Sequence, residues 1–224
     1  MTRILAIVAA RDEADRVGDT VAALRSLGSV DEVVVVVDGS RDGTARVAVD
    51  AGARVLARAR GVGKGGALEA AVELVPPADV YLFADGDLGG SARGLGPVLR
   101  PVLDGEADLA VAILPRPPRG GFGLVKRAAR RLIRAISGFD AVEPLSGQRA
   151  IRREALEACR PLAGGFGVEA GMTADAARLG LRVVEVPAAL EHRFTGRDVA
   201  GFRHRARQGR DVVRAAVPRL LRVR

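Results

Sequence analysis

The chain has 224 residues, of which 48% are hydrophobic, and this is enough apolar material for a domain with a full core, which excludes a wholly disordered protein. The only cysteine, Cys159, excludes an intrachain disulfide, and no Cys/His cluster has the spacing of a zinc site. Aromatic residues make up only 3% of a chain with net charge +8, so platforms for stacking bases are scarce and nucleic acid is the least favoured anionic partner.

Strand and helix patterns alternate through the first half of the chain. Strands are predicted at 4–10, 32–37, 54–57, 80–84 and 109–114, and helices at 13–27, 44–51, 64–75 and 92–103. Five consecutive valines at 33–37 favour a strand that is buried on both faces. The alternation predicts an α/β fold, with a mostly parallel central sheet and helices on both of its faces.

The second half of the chain is less regular. A Pro/Gly/Arg loop is predicted at 115–123, followed by a basic amphipathic helix at 124–136, a short strand at 147–151, a helix to 159, a glycine-rich turn at 164–167, a helix at 168–179, a strand at 182–186 and a terminal helix at 198–221. Glycine and proline at 201, 209 and 218 are expected to interrupt the terminal helix. No repeat or linker is evident, so residues 1–224 are predicted to form one domain.

Basic residues are concentrated in two segments. Residues 116–134 contain seven Lys or Arg and no acid, and residues 193–224 contain ten Arg and two Asp. These segments could face anionic lipid headgroups, bind a phosphorylated ligand, contact nucleic acid, or form a solvated surface. The apolar side of the terminal helix could lie on a membrane, pack on the domain or pack on a second subunit, and we favour packing on the domain or on a second subunit.

The chain shows no targeting or membrane-spanning pattern. Its first apolar run, at 4–10, is too short for a secretory signal, and no stretch of about 18 apolar residues is free of charge. We therefore expect a cytoplasmic protein, with peripheral contact at the inner membrane surface as an alternative.

Polar clusters follow three of the predicted strands. Arg11-Asp12-Glu13 follows the first, the segment 38–44 (DGSRDGT) follows the second, and Asp85-Gly86-Asp87 follows the fourth. Ligands of open α/β sheets bind beyond the carboxyl ends of the strands, so these clusters predict a single site at one edge of the sheet.

The Asp85-Gly86-Asp87 segment suggests a divalent metal. Two carboxylates separated by one small residue repel each other, and Mg²⁺ or Mn²⁺ relieves that repulsion while keeping waters and substrate phosphates in its shell. The alternative is an ordinary turn, since Asp and Gly are common turn residues.

The glycine-rich segment around Lys64 suggests phosphate binding. Glycines at 61, 63, 65 and 66 let backbone N–H groups approach an anion at the start of the next helix. The segment is not a P-loop, because the required upstream glycine and the following Ser or Thr are missing. An ordinary glycine-rich loop is the alternative.

Together these segments resemble the family 2 glycosyltransferases, which have the GT-A fold. The resemblance rests on ARDE (10–13), DGSRDGT (38–44), GKG (63–65), DGD (85–87), EPLSGQ (143–148), GFGVE (165–169) and His192, and covers about 4–198. It is similar in detail to the glucosyl-3-phosphoglycerate synthase and polyprenyl-phosphate sugar transferase branches. It implies transfer of a hexose from a UDP- or GDP-sugar, with 1–114 as the donor half and 115–224 as the acceptor half.

The resemblance implies roles for individual positions. Residues implied to bind the donor are Ala9, Arg11, Glu13, Asp38, Lys64, Asp85, Gly86, Ser146 and Gly147. Asp38 would read the base or ribose and Lys64 would approach the diphosphate. The family usually has two consecutive aspartates at 37–38, and Val37 replaces the first of them here. Asp87 would bind Mg²⁺ or Mn²⁺, with His192 as a further ligand, although a histidine after a strand can also be structural.

The remaining implied roles concern the acceptor. Glu169 falls where inverting members have their catalytic base, which would deprotonate the acceptor hydroxyl; the alternative is a carboxylate that stabilises a helix start. The basic segments point to an anionic acceptor, either a phosphorylated small molecule or a lipid phosphate, bound by Arg119, Leu145 and Arg197. A homodimer is compatible with the sequence. The rival interpretations are a nucleotidyltransferase that makes nucleotide sugars and a degenerate domain that binds a nucleotide or a membrane.

Overall fold

The computed structural model describes residues 2–59, 61–115, 123–191 and 199–221, and for 199–205 it describes only the backbone. Three parts of the sequence predictions therefore lie outside the described residues: the loop with Arg119, the segment 192–198 with His192 and Arg197, and residues 222–224. In the part of the chain that is described, no helix is both long and apolar enough to cross a membrane.

Seven strands and eight α-helices form the described structure. The strands are β1 (Ile4–Ala10), β2 (Glu32–Asp38), β3 (Arg54–Arg58), β4 (Val80–Asp85), β5 (Leu109–Ile113), β6 (Arg149–Arg152) and β7 (Val183–Pro187). The α-helices are α1 (Val17–Arg25), α2 (Thr44–Asp50), α3 (Lys64–Leu74), α4 (Gly96–Leu103), α5 (Leu124–Ser137), α6 (Arg153–Ala158), α7 (Val168–Arg178) and α8 (Val199–Leu221). Short 3-10 helices at Gly89–Leu95 and Gly165–Gly167 precede α4 and α7.

The strands form one sheet in the order β3-β2-β1-β4-β6-β5-β7. All neighbouring pairs are parallel except those of β6, which runs antiparallel to both β4 and β5. The carboxyl ends of β1, β2 and β4 therefore meet at one edge of the sheet, where the three polar clusters were predicted to converge. The mostly parallel sheet with helices on both faces confirms the predicted fold.

Alternation along the central strands separates two apolar cores. Ile4, Ala6 and Val8 of β1 pack against α1, α2 and α4, whereas Leu5 and Ile7 pack against α3, α6 and α7 on the other face. All five are at most 3% exposed. Complete burial on both faces explains why β1, β2 and β4 are nearly unbroken apolar runs that end in polar residues only at the sheet edge.

A third apolar cluster lies outside the sheet, between α5, α7 and α8. Ala170 and Ala174 of α7 pack against Ile133 of α5 and Val212 of α8, and all are at most 5% exposed. Every residue of 168–176 in α7 is buried, because this helix lies between the sheet on one side and α5 and α8 on the other. The terminal helix thus packs on its own domain.

Two helix predictions differ from the structure. Residues 13–16 form turns, and α1 begins only at Val17. The helix α8 is continuous from 199 to 221, so the predicted interruptions at Gly201, Gly209 and Pro218 are wrong. Burial of one face of α8 supplies enough stabilisation to override the low helix propensity of these residues, and Pro218 lies in the final turn.

Candidate active site

The Asp85–Asp87 turn lies at the carboxyl end of β4, beside the end of β1. Asp85 pairs in register with Ala9, and the backbone N–H of Gly86 donates to the Ala9 carbonyl at 2.9 Å. A Cβ on Gly86 would lie 2.8 Å from the Cβ of Ala10, closer than carbon atoms pack. Glycine at 86 therefore lets the turn pack closely against β1.

Thr20 of α1 and Arg16, which directly precedes α1, hold this turn in place. The buried Thr20 hydroxyl donates to the Gly86 carbonyl at 2.9 Å and accepts the N–H of Gly89 at 2.8 Å. The Arg16 guanidinium donates to the Asp87 carbonyl at 3.1 Å. Neither Thr20 nor Arg16 was predicted as a site residue. The position of Thr20 on the apolar side of an amphipathic helix is a signal that could have indicated its role.

The Lys64 ammonium lies between two carboxylates at the centre of the site. Its Nζ is 2.5 Å from Oδ1 of Asp85 and 2.9 Å from Oε1 of Glu169. The other oxygen of Asp85 accepts the side-chain amide of Gln148 at 2.7 Å. Lys64 begins α3, Asp85 ends β4 and Glu169 lies in the first turn of α7, so the bridge joins three elements that are distant in sequence.

Electrostatics keep this lysine charged. Burial lowers the pKa of Lys64, but the carboxylates of Asp85 and Glu169 raise it further, and the net pKa is well above its ordinary value. The Lys64 and Glu169 side chains are only 15% and 6% exposed, so little water screens the pair. Lys64 is thus a charged group held between two carboxylates, and its contact with a donor diphosphate stays a prediction.

Two glycines make room for this arrangement. A Cβ on Gly147 would collide with Nζ of Lys64 and lie 2.9 Å from Oδ2 of Asp85. A Cβ on Gly65 would collide with the carbonyl of Ala163, in the loop that leads into α7. The glycine-rich segment around Lys64 is therefore required for close packing against the Glu169 helix.

Arg149 in β6 is a buried cation that the sequence analysis did not single out. Its Nε and Nη2 donate to the Ser146 carbonyl at 3.0 and 2.6 Å, and its Nη1 donates to the Glu169 carbonyl at 3.0 Å. Burial lowers the pKa of Arg149 to about 10, and the nearby Glu169 carboxylate partly opposes this. The guanidinium ties the 146–147 turn to the start of α7, and so aligns both with Lys64.

The carboxylate of Asp38 is engaged by the loop that precedes Lys64. Its two oxygens accept the backbone N–H groups of Val62 and Gly63, both at 2.9 Å, and the residue is 7% exposed. A Cβ on Gly61 would lie 3.3 Å from Oδ2 of Asp38 and 3.4 Å from Nη1 of Arg11. In the structure Asp38 thus positions the 61–63 loop, and base or ribose reading by this residue stays a prediction.

The loops after β1 and β2 are joined to each other. The N–H of Glu13 donates to the Thr44 hydroxyl at 2.9 Å, and the N–H of Asp12 donates to the Ser40 hydroxyl at 3.0 Å. Asp12 in turn accepts the N–H of Arg41 at 2.8 Å, and adopts a positive φ of 56°. These bonds make one rigid rim from Arg11, Glu13 and the 38–44 segment.

The predicted site residues thus fall into two adjoining groups. Lys64, Asp85, Ser146, Gly147 and Glu169 form the central network, whereas Ala9, Arg11, Glu13 and Asp38 form the rim at the ends of β1 and β2. Leu145 is partly buried against the α5–α7–α8 cluster. Among the described residues no group of three or more His, Cys, Asp or Glu could surround a metal ion.

Several known proteins are similar to this chain in sequence. The model of the family described as Glycosyl transferase family 2 matches residues 5–160. Glycosyltransferase AglJ of Haloferax volcanii is 33% identical over 195 residues, covering 84% of this chain and 62% of the relative. Undecaprenyl-phosphate mannosyltransferase of Micrococcus luteus is 31% identical over 212 residues, covering 87% of this chain and 86% of the relative.

A solved structure extends the likeness to the whole fold. Glucosyl-3-phosphoglycerate synthase from Mycobacterium tuberculosis, in complex with Mn²⁺, UDP-glucose and phosphoglyceric acid, aligns with a TM-score of 0.81 and 27% identity, covering 98% of this chain and 80% of that one. The chain therefore has the GT-A fold, and it belongs to glycosyl transferase family 2.

Proposed function

We propose that the chain transfers a hexose from a UDP-sugar to an anionic acceptor, with Mg²⁺ or Mn²⁺ at the donor diphosphate. The observation that carries the proposal is the buried Lys64 bridge between Asp85 and Glu169, at the sheet edge where ligands of α/β proteins bind. The aligned synthase was solved with UDP-glucose and Mn²⁺, which supports a donor of the same class.

The residues present suit a metal that binds few protein groups. Lys64 and Gln148 neutralise and orient Asp85, and Asp87 is the other carboxylate of the turn. Asp87 would bind the cation together with donor oxygens and water, which matches the preference of Mg²⁺ for one or two carboxylates plus phosphate. When bound, the metal neutralises charge that develops on the diphosphate leaving group.

The chain's own groups then bind and orient the two substrates. Lys64 presents a positive charge to the diphosphate, and Gly147 leaves room for the Lys64 ammonium beside Asp85. The Lys64 ammonium pairs with Oε1 of Glu169. Glu169 can therefore accept a proton from an acceptor hydroxyl only after the ammonium has moved from Glu169 toward the diphosphate. Donor binding would thus precede activation of the acceptor.

The relatives support an acceptor that has a phosphate. The aligned synthase was solved with phosphoglyceric acid, and the Micrococcus relative is a mannosyltransferase of undecaprenyl phosphate. Arg119, Arg197 and Leu145 remain our predicted acceptor contacts. We expect Arg119→Ala and Arg197→Ala to raise the KM for an acceptor of this class and to flatten its dependence on salt.

The donor is tested by thermal stabilisation with UDP-, GDP-, dTDP- and CDP-sugars, each with Mn²⁺, Mg²⁺ or EDTA. Ligand at about 100 times its Kd adds about 2.7 kcal/mol to the free energy of unfolding. We expect a shift with UDP-sugars that disappears with EDTA and in Asp87→Ala, but persists in Asp50→Ala, an exposed carboxylate on α2. Absence of any nucleotide-dependent shift would contradict the proposal.

Turnover separates the proposal from a nucleotidyltransferase. Phosphoglycerate and polyprenyl phosphate serve as acceptors in parallel assays, with release of UDP as the expected signal. Release of pyrophosphate from UTP and a sugar phosphate, without release of UDP, would assign the site to synthesis of nucleotide sugars.

A further inference from the structure

The outer surfaces of α5 and α8 form a face that none of the described elements covers. Both helices pack on α7 and on each other, so the sides opposite to α7 point away from the sheet. We call the exposed residues on these sides the basic outer face. Its cations are Arg127, Arg131, Arg134, Arg207 and Arg214, and its apolar members are Leu124, Val213, Val217 and Leu221.

Helical spacing gathers these side chains into two stripes. Positions 124, 127, 131 and 134 recur every three or four residues along α5, and positions 207, 214, 217 and 221 share one side of α8. The buried residues of the two helices, including Ala129, Ile133, Val212 and Ala216, lie on the opposite sides. Each helix therefore presents one exposed stripe on the side opposite to its buried residues.

Charge on this face is uncompensated. The α5 helix contains five basic residues and no acid from Leu124 to Ser137. Lys126 and Arg130 pair with Glu143 and Asp140, but Arg127, Arg131 and Arg134 make no ion pair with a described residue. The one acid among the described α8 side chains, Asp211, accepts the N–H of Phe166 at 3.3 Å and pairs with Arg210 at 3.3 Å, so Arg207 and Arg214 have no acidic partner among the described residues.

Large aliphatic side chains lie among these arginines. Leu124 is 64% exposed and Leu221 is 70% exposed, and Val213 and Val217 are half exposed. A purely solvated basic surface gains nothing from exposing them. Aliphatic side chains that enter the acyl boundary, flanked by arginines at the level of the headgroups, are typical of helices that lie in a membrane interface.

We propose that the basic outer face binds the surface of a membrane that contains anionic phospholipids, with α5 and α8 lying in the plane of the headgroups. A second copy of the chain fits less well, because a two-fold interface would place arginines against arginines. Nucleic acid also fits less well, because none of the face's members offers an aromatic ring for stacking.

The face is connected to the candidate active site. Asp211 contacts the Gly165–Gly167 turn, and a Cβ on Gly167 would lie 2.6 Å from the Asp211 carbonyl. That turn leads directly into α7 and Glu169. A chain bound through α8 would therefore present a fixed orientation of the site relative to the bilayer.

Co-sedimentation of the full chain with vesicles tests the proposal. The vesicles are phosphatidylcholine alone or phosphatidylcholine mixed with phosphatidylglycerol, at low and high ionic strength. Each basic residue near an anionic surface contributes about 1 kcal/mol, so the triple variant Arg127→Ala, Arg131→Ala, Arg134→Ala should lower the partition coefficient about 100-fold. Replacing Val217 and Leu221 by serine should lower it by about tenfold and reduce the binding that survives high salt.

A matched control removes the same charge from the other side of the sheet. Arg46, Arg93 and Arg100 are exposed and lie on elements that pack against the opposite core. Their triple alanine variant should bind vesicles as the wild type does. All substituted residues are exposed, and unchanged urea midpoints verify that the variants fold.

The proposal would be overturned if the wild type did not bind anionic vesicles, or if the two triple variants lost vesicle binding equally. Without vesicle binding, binding to mixed-sequence duplex DNA would assign the face to nucleic acid. A dimer that only the α5 variant loses would assign it to a second copy of the chain. Vesicle binding needs no sugar donor. Loss of vesicle binding with nucleotide-dependent stabilisation intact would contradict the membrane proposal alone. Vesicle binding without nucleotide-dependent stabilisation would contradict the proposed transferase function alone.

Discussion

Lys64 is the residue on which the site's electrostatic balance depends. It faces two carboxylates, and its own side chain is 15% exposed. Removing one member of a buried charge network leaves the others uncompensated, which is more costly than the loss of an exposed ion pair. A substitution at Lys64, Asp85 or Glu169 should therefore change the contribution of the other two to stability.

We predict that Lys64→Met lowers the free energy of unfolding by about 3 kcal/mol at pH 7. The matched change Lys126→Met breaks the more exposed pair with Glu143 and should cost less than about 1 kcal/mol. Adding Glu169→Gln to Lys64→Met should restore part of the loss, because it removes an uncompensated carboxylate. Urea unfolding of the wild type and the three variants measures these differences, and equal costs for the two lysine changes would contradict the buried network.

The contribution of Lys64 to the free energy of unfolding depends on pH in a direction that its raised pKa fixes. The folded-state pKa of Lys64 is raised above its ordinary value of 10.5, so its stabilising contribution is complete below about pH 10 and is lost only as pH rises through the folded pKa. Between pH 6 and pH 9 the wild type should therefore lose no stability from this group.

Sequence reasoning found the charged members of this network but not their pairing. Each was assigned to a separate partner: Asp85 to the donor or a divalent metal, Lys64 to the diphosphate and Glu169 to the acceptor hydroxyl. Their contact depends on the crossing of α3 over the 163–165 loop, which local pattern does not encode. Arg149 was missed because an arginine in a short polar segment predicts an exposed side chain, whereas this one is 2% exposed.

At the scale of elements, α8 is joined to α7 by one buried ion pair. Nε and Nη2 of Arg219 lie 2.8 and 2.5 Å from Oδ2 of Asp175, with side chains 12% and 10% exposed. Arg219 also donates to the Ala215 carbonyl at 2.7 Å, which fixes its direction along the helix. This pair and the contact of Asp211 with the Gly165–Gly167 turn anchor the terminal helix over the candidate base.

A double-mutant cycle should show this coupling. We expect Arg219→Met and Asp175→Asn each to cost about 3 kcal/mol, and the double variant to cost about 2 kcal/mol less than their sum. The exposed i,i+4 pair Arg100–Asp104 is the matched control, with an expected coupling of at most about 0.5 kcal/mol. Additive costs for the α7–α8 pair would show that the helices are held by apolar packing alone.

The elements differ in how well local pattern predicts them. The valine run of β2 and the apolar runs of β1 and β4 were predicted within one residue, because burial on both faces leaves no other consistent interpretation. The antiparallel direction of β6 was not predicted. Its four residues, Arg149–Arg152, carry an arginine at each end, and their pairing with β4 and β5 is decided by tertiary contacts.

At the scale of the whole molecule, the candidate site depends on both ends of the described chain. The rim lies at the ends of β1 and β2, the Asp85–Asp87 turn follows β4, and Glu169 lies on α7, which α8 covers. The side of α7 that faces away from the sheet is buried because α8 and α5 lie on it. The family model ends at residue 160, so the element that completes this wall lies beyond the matched region.

We therefore predict that a chain ending at residue 190 loses cooperative unfolding and nucleotide-dependent stabilisation together. Without α8, the apolar side of α7 and the buried Asp175 lose their cover, and the expected loss exceeds about 3 kcal/mol. Urea unfolding followed by circular dichroism, together with binding of a hydrophobic dye, measures both effects.

The control keeps the full length and replaces Val213 and Val217, which are half exposed on the outer side of α8, by serine. That variant should stay within about 0.5 kcal/mol of the wild type, because exposed helix positions contribute little to packing. A shortened chain that still unfolds cooperatively and still binds the nucleotide would show that the sheet and its first seven helices form the site unaided, and that α8 serves only the surface that faces outward.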